Sequence, residues 1–473
     1  MHQLQHVPGM LYMVFGYLII LTVFGTYCYN QAAKKGKESR DDFLLAGRGL
    51  GKLVAVGTTF ATFTGGGTVT GGGNSLAYLY GLWPGICFCV PPIISFTILI
   101  ILAKRIRESG FYTVSQLLEV TYGRAARYVS AVIIALAFVS IVSYQYRGLG
   151  FVLNVTTGMS IPVCTIICTV LVIGLAYSGG LKTVAATDAL SAFLMLFGIV
   201  VACPLLLAKV GGFAWIKANA TPDQLSFFGG QTFFKWLGAY LPLTVLTIGD
   251  QNYFQRITAA KDLKTARIGC LGCIGACIIV MPIIAVISMI GRLYFGSNIA
   301  AGQSLISTST MLPVFWGGIL LSAASAFIIT TGDSYLLSAA SNFTVDIYGE
   351  LINKNATDKN FLHATRGFIL VAGVVAYIIL QFYPSILAVQ YMSYTIYGAA
   401  ISPAVIAAVI WPRVTKAGGL ASMLAGSILT IIWEVLKYPF GIQTILVVLP
   451  VSILVLIFVS LVTKPNEPAV AAK

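Results

Sequence analysis

Apolar segments long enough to cross a bilayer recur along the whole chain, separated by short polar stretches rich in lysine and arginine. A membrane-spanning helix needs about 20 apolar residues at a rise of about 1.5 Å per residue. Strands of alternating polarity are absent, so the pattern predicts an all-α membrane protein and excludes a barrel. We expect about thirteen spans, at residues 9–31, 52–81, 83–103, 126–154, 160–178, 183–208, 232–255, 266–291, 311–341, 364–381, 384–411, 417–436 and 442–463.

Composition supports the same class of protein. Hydrophobic residues make up 58% of the 473 residues and charged residues only 9%, whereas a soluble domain is about 25% charged. The mean hydropathy is +0.90. The first span, 9–31, has no small-residue cleavage site, so we expect it to be retained and not removed as a signal peptide.

The net charge of +14 reflects topology. Most lysines and arginines fall in loops on one side of the predicted spans, and cytoplasmic loops carry such an excess. The distribution predicts a multi-pass protein of the cell (plasma) membrane with its N-terminus outside. The C-terminal tail, 464–473, is then cytoplasmic. No nucleic-acid partner is expected.

A polar cluster interrupts the ninth span. Thr330, Thr331, Asp333 and Ser334 lie within an otherwise apolar run. A charge at such a depth costs at least ~2.5–3.5 kcal/mol and marks an ion or substrate pathway. Hydroxyl and carboxylate oxygens are hard ligands, which suit an alkali cation. The alternative is that the hydroxyls only bond neighbouring helices together.

Two spans contain helix-breaking sequences. The segment Thr64–Gly73 holds six glycines, each costing ~1 kcal/mol relative to alanine in a helix. This favours local unwinding over close Gly-xxx-Gly packing, the alternative. A second break is expected in the seventh span, around Pro242, Gly249 and Asp250. Paired breaks indicate a transporter built from inverted repeats.

The repeat interpretation divides the chain into five parts. These are an extra N-terminal helix at 9–31, repeat one at 52–208, repeat two at 232–411, two C-terminal helices at 417–463 and the tail at 464–473.

Several motifs occur together in one order: Phe43–Arg48, Gly179–Leu181 before Asp188, Tyr253–Arg256, and Thr330–Ser334 with Asp346–Tyr348 after it. With these motifs the chain resembles the solute:sodium symporter family, whose members carry proline, sugars, pantothenate, sialic acid or choline. The resemblance implies a LeuT-type core of five plus five helices, with one helix before it and two after.

The resemblance also implies cation sites. Sodium would be held by the backbone carbonyls of Ala61, Thr64 and Phe327 and by the hydroxyls of Thr330 and Thr331. A second site, for a cation or a proton, would involve Asp188, Asp333 and Ser334. For Asp188 the alternative is an ordinary residue at a helix end near the cytoplasm.

By the same resemblance, the substrate would lie beside the two breaks. The residues implied are Phe63, Gly65, Thr68, Ile141, Arg147, Asp250, Gln251 and Tyr253. Some motifs are closest to those of the choline transporters of the family. The aromatic cage that would bind a quaternary ammonium is nevertheless mostly missing, because Ile141 and Asp250 stand where tryptophans align.

Two charged residues suggest a zwitterionic substrate. Asp250 would bind its amine and Arg147 its carboxylate, as for an amino acid. The alternatives are that Arg147 extends toward the membrane surface or that the two residues pair with each other.

The predicted function is import of a small organic solute, such as an amino acid or amine, coupled to Na⁺ by alternating access. A proton-coupled carrier of the same fold is the alternative, followed by a channel or sensor. No phosphate loop, metal cluster or nucleophile–base set occurs, so we expect neither enzymatic activity nor a cofactor besides Na⁺. We expect the protein to work as a monomer.

Overall fold

The computed structural model describes residues 2–33, 40–178, 181–383 and 385–464. Within these residues the regular secondary structure is helical, and one isolated β-bridge joins Leu50 and Ala260. The main helices are α1 (Leu11–Ala33), α2 (Lys52–Phe63), α3 (Gly72–Tyr80), α4 (Val90–Ser109), α5 (Val114–Tyr122), α6 (Arg124–Thr157), α7 (Ile161–Ser178), α8 (Leu181–Val210), α9 (Phe233–Gly249), α10 (Gln251–Ala259), α11 (Leu263–Phe295), α12 (Val314–Asn342), α13 (Asp358–Gln381), α14 (Ile386–Ala400), α15 (Ser402–Ile410), α16 (Lys416–Val435) and α17 (Thr444–Val462).

Helix length and hydropathy agree with a multi-pass membrane protein. In the described part of the chain, ten helical segments are long and apolar enough to cross a membrane, and α2, α7 and α9 are shorter apolar helices. These occupy the positions of the predicted spans, while the count of thirteen stays a prediction. The Gly179–Gly180 pair and nearly all of the predicted tail lie outside the described residues.

The first break in the helix is shorter than we expected from the glycine-rich segment Thr64–Gly73. Helix α2 ends at Phe63, and Thr64 leaves helical geometry with φ −94° and ψ 88°. The chain returns to helix almost at once, because Gly67–Gly71 form a π-helical turn that leads into α3. Non-helical backbone at this depth persists only where protein buries it or a cavity needs it.

The second break lies at Asp250, within the predicted segment. Helix α9 continues through Pro242 to Gly249, so the proline does not end it. Asp250 has extended geometry (φ −66°, ψ 124°) and caps α10 by accepting a hydrogen bond from the Asn252 backbone N–H at 2.7 Å. The two broken helices agree with the inverted-repeat interpretation, whose boundaries stay a prediction.

Helix α12 lies at the centre of the fold. It packs against α6 and α8 along its length and also contacts α2. Every residue from Leu320 to Asn342 is buried, so this helix has no solvent-facing side. A helix buried all round carries polar residues only where other protein groups meet them. The polar cluster at Thr330–Ser334 therefore faces α2 and its neighbours, not lipid.

Candidate functional site

The end of α2 and the middle of α12 meet through oxygen atoms. Thr330 Oγ1 lies 3.1 Å from the Ala61 carbonyl oxygen and 3.4 Å from that of Phe327. Thr331 Oγ1 lies 3.2 Å from the carbonyl oxygens of both Ala61 and Thr62. Both hydroxyls are buried. Four of the five residues implied as sodium ligands are thus in mutual contact.

Thr64, the fifth implied ligand, follows directly where the helix breaks. The ligand atom that the resemblance implies is its backbone carbonyl. Its hydroxyl, at the same point of the chain, is buried and has no hydrogen-bond partner among the described residues. An unpaired polar atom in a buried position is costly, so such atoms are rare unless a ligand or ion meets them. Carbonyl and hydroxyl oxygens are the ligand type of a hard cation, and the residues present fit Na⁺.

The contact between α2 and α12 depends on Gly65. A Cβ atom at this position would lie 2.2 Å from Thr331 Oγ1 and 2.5 Å from Thr331 Cβ. Any larger residue would force the two helices apart at the oxygen cluster. The structure therefore gives Gly65 a packing role, whereas the resemblance implied that it contacts the substrate.

We expect Gly65→Ala to lower the thermal unfolding temperature of the purified protein. Overpacking a buried contact typically costs about 1–3 kcal/mol. The matched control is Gly275→Ala on α11, where the added Cβ would meet no atom within 4 Å. The control should be neutral or slightly stabilising, since alanine favours helix. Equal melting temperatures for the two variants would contradict the close contact.

Arg256 on α10 lies at the centre of a second buried cluster. Its Nη2 donates to Asp188 Oδ2 at 3.3 Å and to Ser334 Oγ at 2.9 Å, while its Nε donates to Thr58 Oγ1 at 3.0 Å. Thr58 in turn donates to Asp188 Oδ2 at 2.6 Å. Thr62 Oγ1 lies 3.2 Å from Ser334 Oγ. The cluster joins α2, α8, α10 and α12.

Asp333 adds a second carboxylate to this cluster. It interacts electrostatically with Asp188, and one oxygen of each carboxylate, Oδ1, is buried without a hydrogen-bond partner in the described chain. When both carboxylates are ionised, they and the Arg256 guanidinium, which pairs with Asp188, leave a formal charge of −1. A buried unpaired charge is unfavourable, so the cluster can accept one further positive charge. The structure thus brings together the residues of the implied second site.

Sequence reasoning gave Arg256 no role, although this residue ends the Tyr253–Arg256 motif. The signal available was an arginine close after a predicted helix break. The sequence could not show that α10 turns this side chain inward toward α8.

Three aromatic rings pack together beside the first break. The centroids of Phe63 and Phe96 are 5.3 Å apart, those of Phe96 and Tyr253 are 5.0 Å apart, and those of Phe63 and Tyr253 are 6.3 Å apart. Phe96, on α4, was missed because nothing in its apolar segment distinguishes it from a core residue. The site is therefore more aromatic than the sequence indicated.

Two glutamines bind the backbone of the broken segment. Gln145 Oε1 accepts a hydrogen bond from the Gly66 N–H at 2.9 Å. Gln390 Oε1 accepts one from the Gly72 N–H at 2.8 Å, and its Nε2 donates to the Gly67 carbonyl at 2.9 Å. These bonds replace those that the break removes from the helix. Neither glutamine was predicted, since single polar residues in long spans carry little signal.

Asp250 is engaged by protein on both carboxylate oxygens. Oδ1 accepts from Asn252, and Oδ2 accepts from the Tyr335 hydroxyl at 2.6 Å. Gln251 points toward other helices, since its Oε1 accepts from the Val114 N–H and from Asn342 Nδ2. The carboxylate of Asp250 is thus engaged by protein, whereas Gln251 Nε2 is buried without a partner among the described residues. The substrate contacts implied for both residues, and the amine contact predicted for Asp250, stay predictions.

Arg147 likewise does not meet Asp250. Its guanidinium donates to the carbonyl oxygens of Leu380 and Tyr383, at 3.2 and 3.1 Å, at the end of α13. Among the described residues no ion pair joins it to Asp250. A cation at the C-terminal end of a helix is favourable because the last carbonyls lack partners there. The amine-and-carboxylate hypothesis built on these two residues is not supported.

The centre of the molecule is closed in this conformation. Thr68 and Ile141 are buried, as are Phe63, Tyr253 and Tyr394, the most exposed of which is 7% accessible. Tyr394 and Tyr144 share a hydrogen bond of 3.1 Å across the break. The side chains at the break are thus buried in protein in this conformation.

Comparison with known proteins decides the family. The sequence matches the sodium:solute symporter family over residues 43–426. The chain belongs to the sodium:solute symporter family. It is 24% identical to the human high affinity choline transporter 1 over 450 residues, covering 90% of this chain and 77% of that protein. It is 26% identical to the sodium/proline symporter of Escherichia coli over 445 residues, covering 87% and 86%.

The solved structures agree on the fold. The substrate-bound outward-open state of a Na⁺-coupled sialic acid symporter has a TM-score of 0.80 at 17% identity and covers 97% of this chain and 99% of its own. A nucleobase-cation-symport-1 family transporter has a TM-score of 0.61 at 10% identity. This sodium:solute symporter therefore has the predicted LeuT-type fold. It is a sodium-coupled secondary transporter of a small organic solute.

Proposed function

We propose that this symporter binds its coupling Na⁺ where the broken helix meets α12. The ligands are the carbonyls of Ala61, Thr64 and Phe327 and the hydroxyls of Thr330 and Thr331. The observation that carries the proposal is that both hydroxyls converge on the Ala61 carbonyl, at 3.1 and 3.2 Å. With Na⁺ bound, these oxygens would turn their lone pairs to the ion, and the ion would tie α2 to α12.

Coupling follows from the position of this site. Thr64 leads directly into the glycine segment that the two glutamines hold, and Phe63 precedes it in the aromatic cluster. An ion that orders this short stretch of backbone also orders the solute site, which is a coupling free energy between two sites. Because Thr62 contacts both Thr331 and Ser334, the second cluster is joined to the first.

The proposed solute is small and carries a positively charged nitrogen. The Phe63, Phe96 and Tyr253 rings offer faces for a cation. Gln145 Nε2 is buried without an acceptor, although the bond from Gly66 fixes its amide orientation. It can donate to a hydroxyl or carboxylate oxygen of the solute. Choline and proline, the solutes of the two relatives, both combine such a nitrogen with an oxygen.

The proposal includes the assembly of the protein and its orientation in the membrane. We place the protein in the plasma membrane as a functional monomer, with its N-terminus outside. The positive-inside rule supports this orientation.

Uptake into proteoliposomes tests the proposal. With an inward Na⁺ gradient, we expect accumulation of at least one labelled ammonium solute from a panel of choline, proline and glycine betaine. Replacing Na⁺ by K⁺ should reduce accumulation to the level of empty vesicles. Glucose, which has no nitrogen, and sialic acid, whose nitrogen is a neutral amide, serve as solutes without a charged nitrogen. Accumulation of these alone would contradict the solute class, and uptake independent of Na⁺ would contradict the ion.

A proton is a candidate for a second coupling ion beside Na⁺. The observation that favours it is that Asp188 and Asp333 each have a buried carboxylate oxygen without a hydrogen-bond partner among the described residues. In the same vesicles, an inward proton gradient added to the Na⁺ gradient would then increase uptake, and Asp333→Asn would remove this increase alone.

A further inference from the structure

A groove on the membrane-facing surface lies apart from the transport site. It has a volume of about 490 Å³ and lies between α4 and α11. Its lining consists of two cationic and four aliphatic side chains: Ile100, Leu263, Lys264, Arg267, Ile268 and Leu271. Nothing in the transport mechanism uses these residues.

Along α11, the cationic side chains of Lys264 and Arg267 come before the aliphatic side chains of Ile268 and Leu271. Lys264 and Arg267 are three residues apart in the first turns of α11, so they lie on one face. Ile268 and Leu271 continue that face, and at a rise of about 1.5 Å per residue Leu271 lies roughly 10 Å beyond Lys264. Leu271 is 62% exposed. The cations lie at the helix start, at the depth of a lipid headgroup. The uncovered aliphatic surface lies deeper in the membrane, at the depth of an acyl chain.

The two cations are available for a ligand. Neither Lys264 nor Arg267 forms an ion pair within the described ranges. The neighbouring carboxylate, Asp262, is occupied as the cap of α11. Its hydrogen bond from the Thr265 N–H, 2.7 Å long, lowers the pKa of Asp262, and Lys261 acts in the same direction. Glu108 at the end of α4 lies near Lys104, with which it pairs at 3.9 Å.

We propose that this groove binds an anionic phospholipid. The headgroup phosphate contacts Lys264 and Arg267, and one acyl chain covers Ile100, Ile268 and Leu271. Basic pockets at the cytoplasmic ends of membrane helices bind anionic headgroups, and the predicted topology places this end of α11 on the cytoplasmic side. A neutral lipid would leave two cations uncompensated, and a soluble phosphate would leave the aliphatic surface uncovered. The inference is independent of the transported solute.

The site has a direct structural connection to transport. Helix α11 packs on α2, where a Cβ at Gly272 would lie 2.6 Å from Val56. A lipid in the groove therefore supports the helix whose end carries the proposed Na⁺ ligands. We expect Na⁺-driven uptake to be faster in vesicles containing phosphatidylglycerol than in pure phosphatidylcholine.

Native mass spectrometry of the purified, delipidated protein tests the site. We expect added phosphatidylglycerol to be retained at least tenfold better than phosphatidylcholine with the same chains. Lys264→Gln/Arg267→Gln should reduce retention to the phosphatidylcholine level. The matched control, Lys354→Gln/Lys359→Gln, removes the same charge from another loop and should retain the lipid as the wild type does.

Two further measurements distinguish a lipid bound in the groove from a phosphate group bound by the two cations alone. Leu271→Trp keeps both cations but fills the groove, so it should also lower retention. Inorganic phosphate should not raise the melting temperature at concentrations where phosphatidylglycerol does. Equal retention by the groove double variant and the loop double variant would overturn the proposal. Stabilisation by phosphate equal to that by the lipid would overturn it as well.

Discussion

Replacing both threonines, Thr330→Ala/Thr331→Ala, is expected to raise the Na⁺ concentration for half-maximal uptake by more than tenfold. The variant removes two of the five proposed ligands, and each buried hydrogen-bonding group contributes ~0.5–1.5 kcal/mol. Two such losses amount to about 1–3 kcal/mol. Because 1.4 kcal/mol is about a factor of ten in affinity, the middle of that range corresponds to more than tenfold. Uptake at saturating Na⁺ should recover in part, since the solute site itself is unchanged.

Two controls separate ion binding from folding. Thr330→Ser/Thr331→Ser keeps both hydroxyls and should keep the Na⁺ dependence of the wild type. Ser325→Ala removes a buried hydroxyl that bonds only to the Leu321 carbonyl within α12, so it should change neither Na⁺ dependence nor rate. The measurement is initial uptake against external Na⁺. A wild-type Na⁺ curve for the double alanine variant would remove Thr330 and Thr331 from the site.

The sequence predicted the candidate-site residues that are unusual in a membrane span, either because they are polar or because they weaken a helix. Thr330, Thr331 and Asp333 were predicted because hydroxyls and a carboxylate are expensive in an apolar span, and their role as ligands stays a proposal. The glycine-rich run was found because glycine weakens a helix. Both signals are local, so a single window of sequence contains them. The fold followed from span periodicity and from the order of motifs that carry the family resemblance.

The sequence could not predict which side chains complete the site from other helices. Gln145, Gln390 and Phe96 lie on three helices, and their contacts depend on how those helices rotate about their axes. A glutamine or phenylalanine in a span is locally unremarkable. Only the packed structure shows that the two glutamine side chains replace backbone bonds lost at the break.

Two predicted substrate residues lie in the structure against other protein groups, for a common physical reason. Arg147 and Asp250 were assigned to the substrate because each is a charge in an apolar segment. In the structure both charges are compensated at helix ends: Arg147 meets the last carbonyls of α13, and Asp250 caps α10. Helix ends inside a membrane protein need such groups as much as ligands do. A buried charge therefore indicates a partner, and the partner can be backbone.

Removing the cation of the buried Asp188–Arg256 pair should reduce the stability of the protein strongly. Arg256→Gln is expected to destabilise the protein by about 3–5 kcal/mol, because it leaves Asp188 buried without its cation. The formal charge of the cluster would change from −1 to −2, with Asp333 as the second carboxylate. We expect no Na⁺-driven uptake at physiological Na⁺, and a melting temperature well below that of the wild type.

A double-mutant cycle distinguishes this pair from ordinary packing. Asp188→Asn/Arg256→Gln removes both charges and keeps side chains of similar shape, so it should be more stable than Arg256→Gln alone. Arg256→Lys keeps the charge but cannot reach Asp188, Ser334 and Thr58 together, since a lysine lacks the planar fork of donors. It should fold better than Arg256→Gln and still transport poorly. Additive melting-temperature changes across the cycle would show that the 3.3 Å contact carries no coupling. Non-additive changes, with transport absent in the stable double variant, would show that the pair serves transport beyond folding, because the double variant keeps the formal charge of the cluster and lacks only the pair.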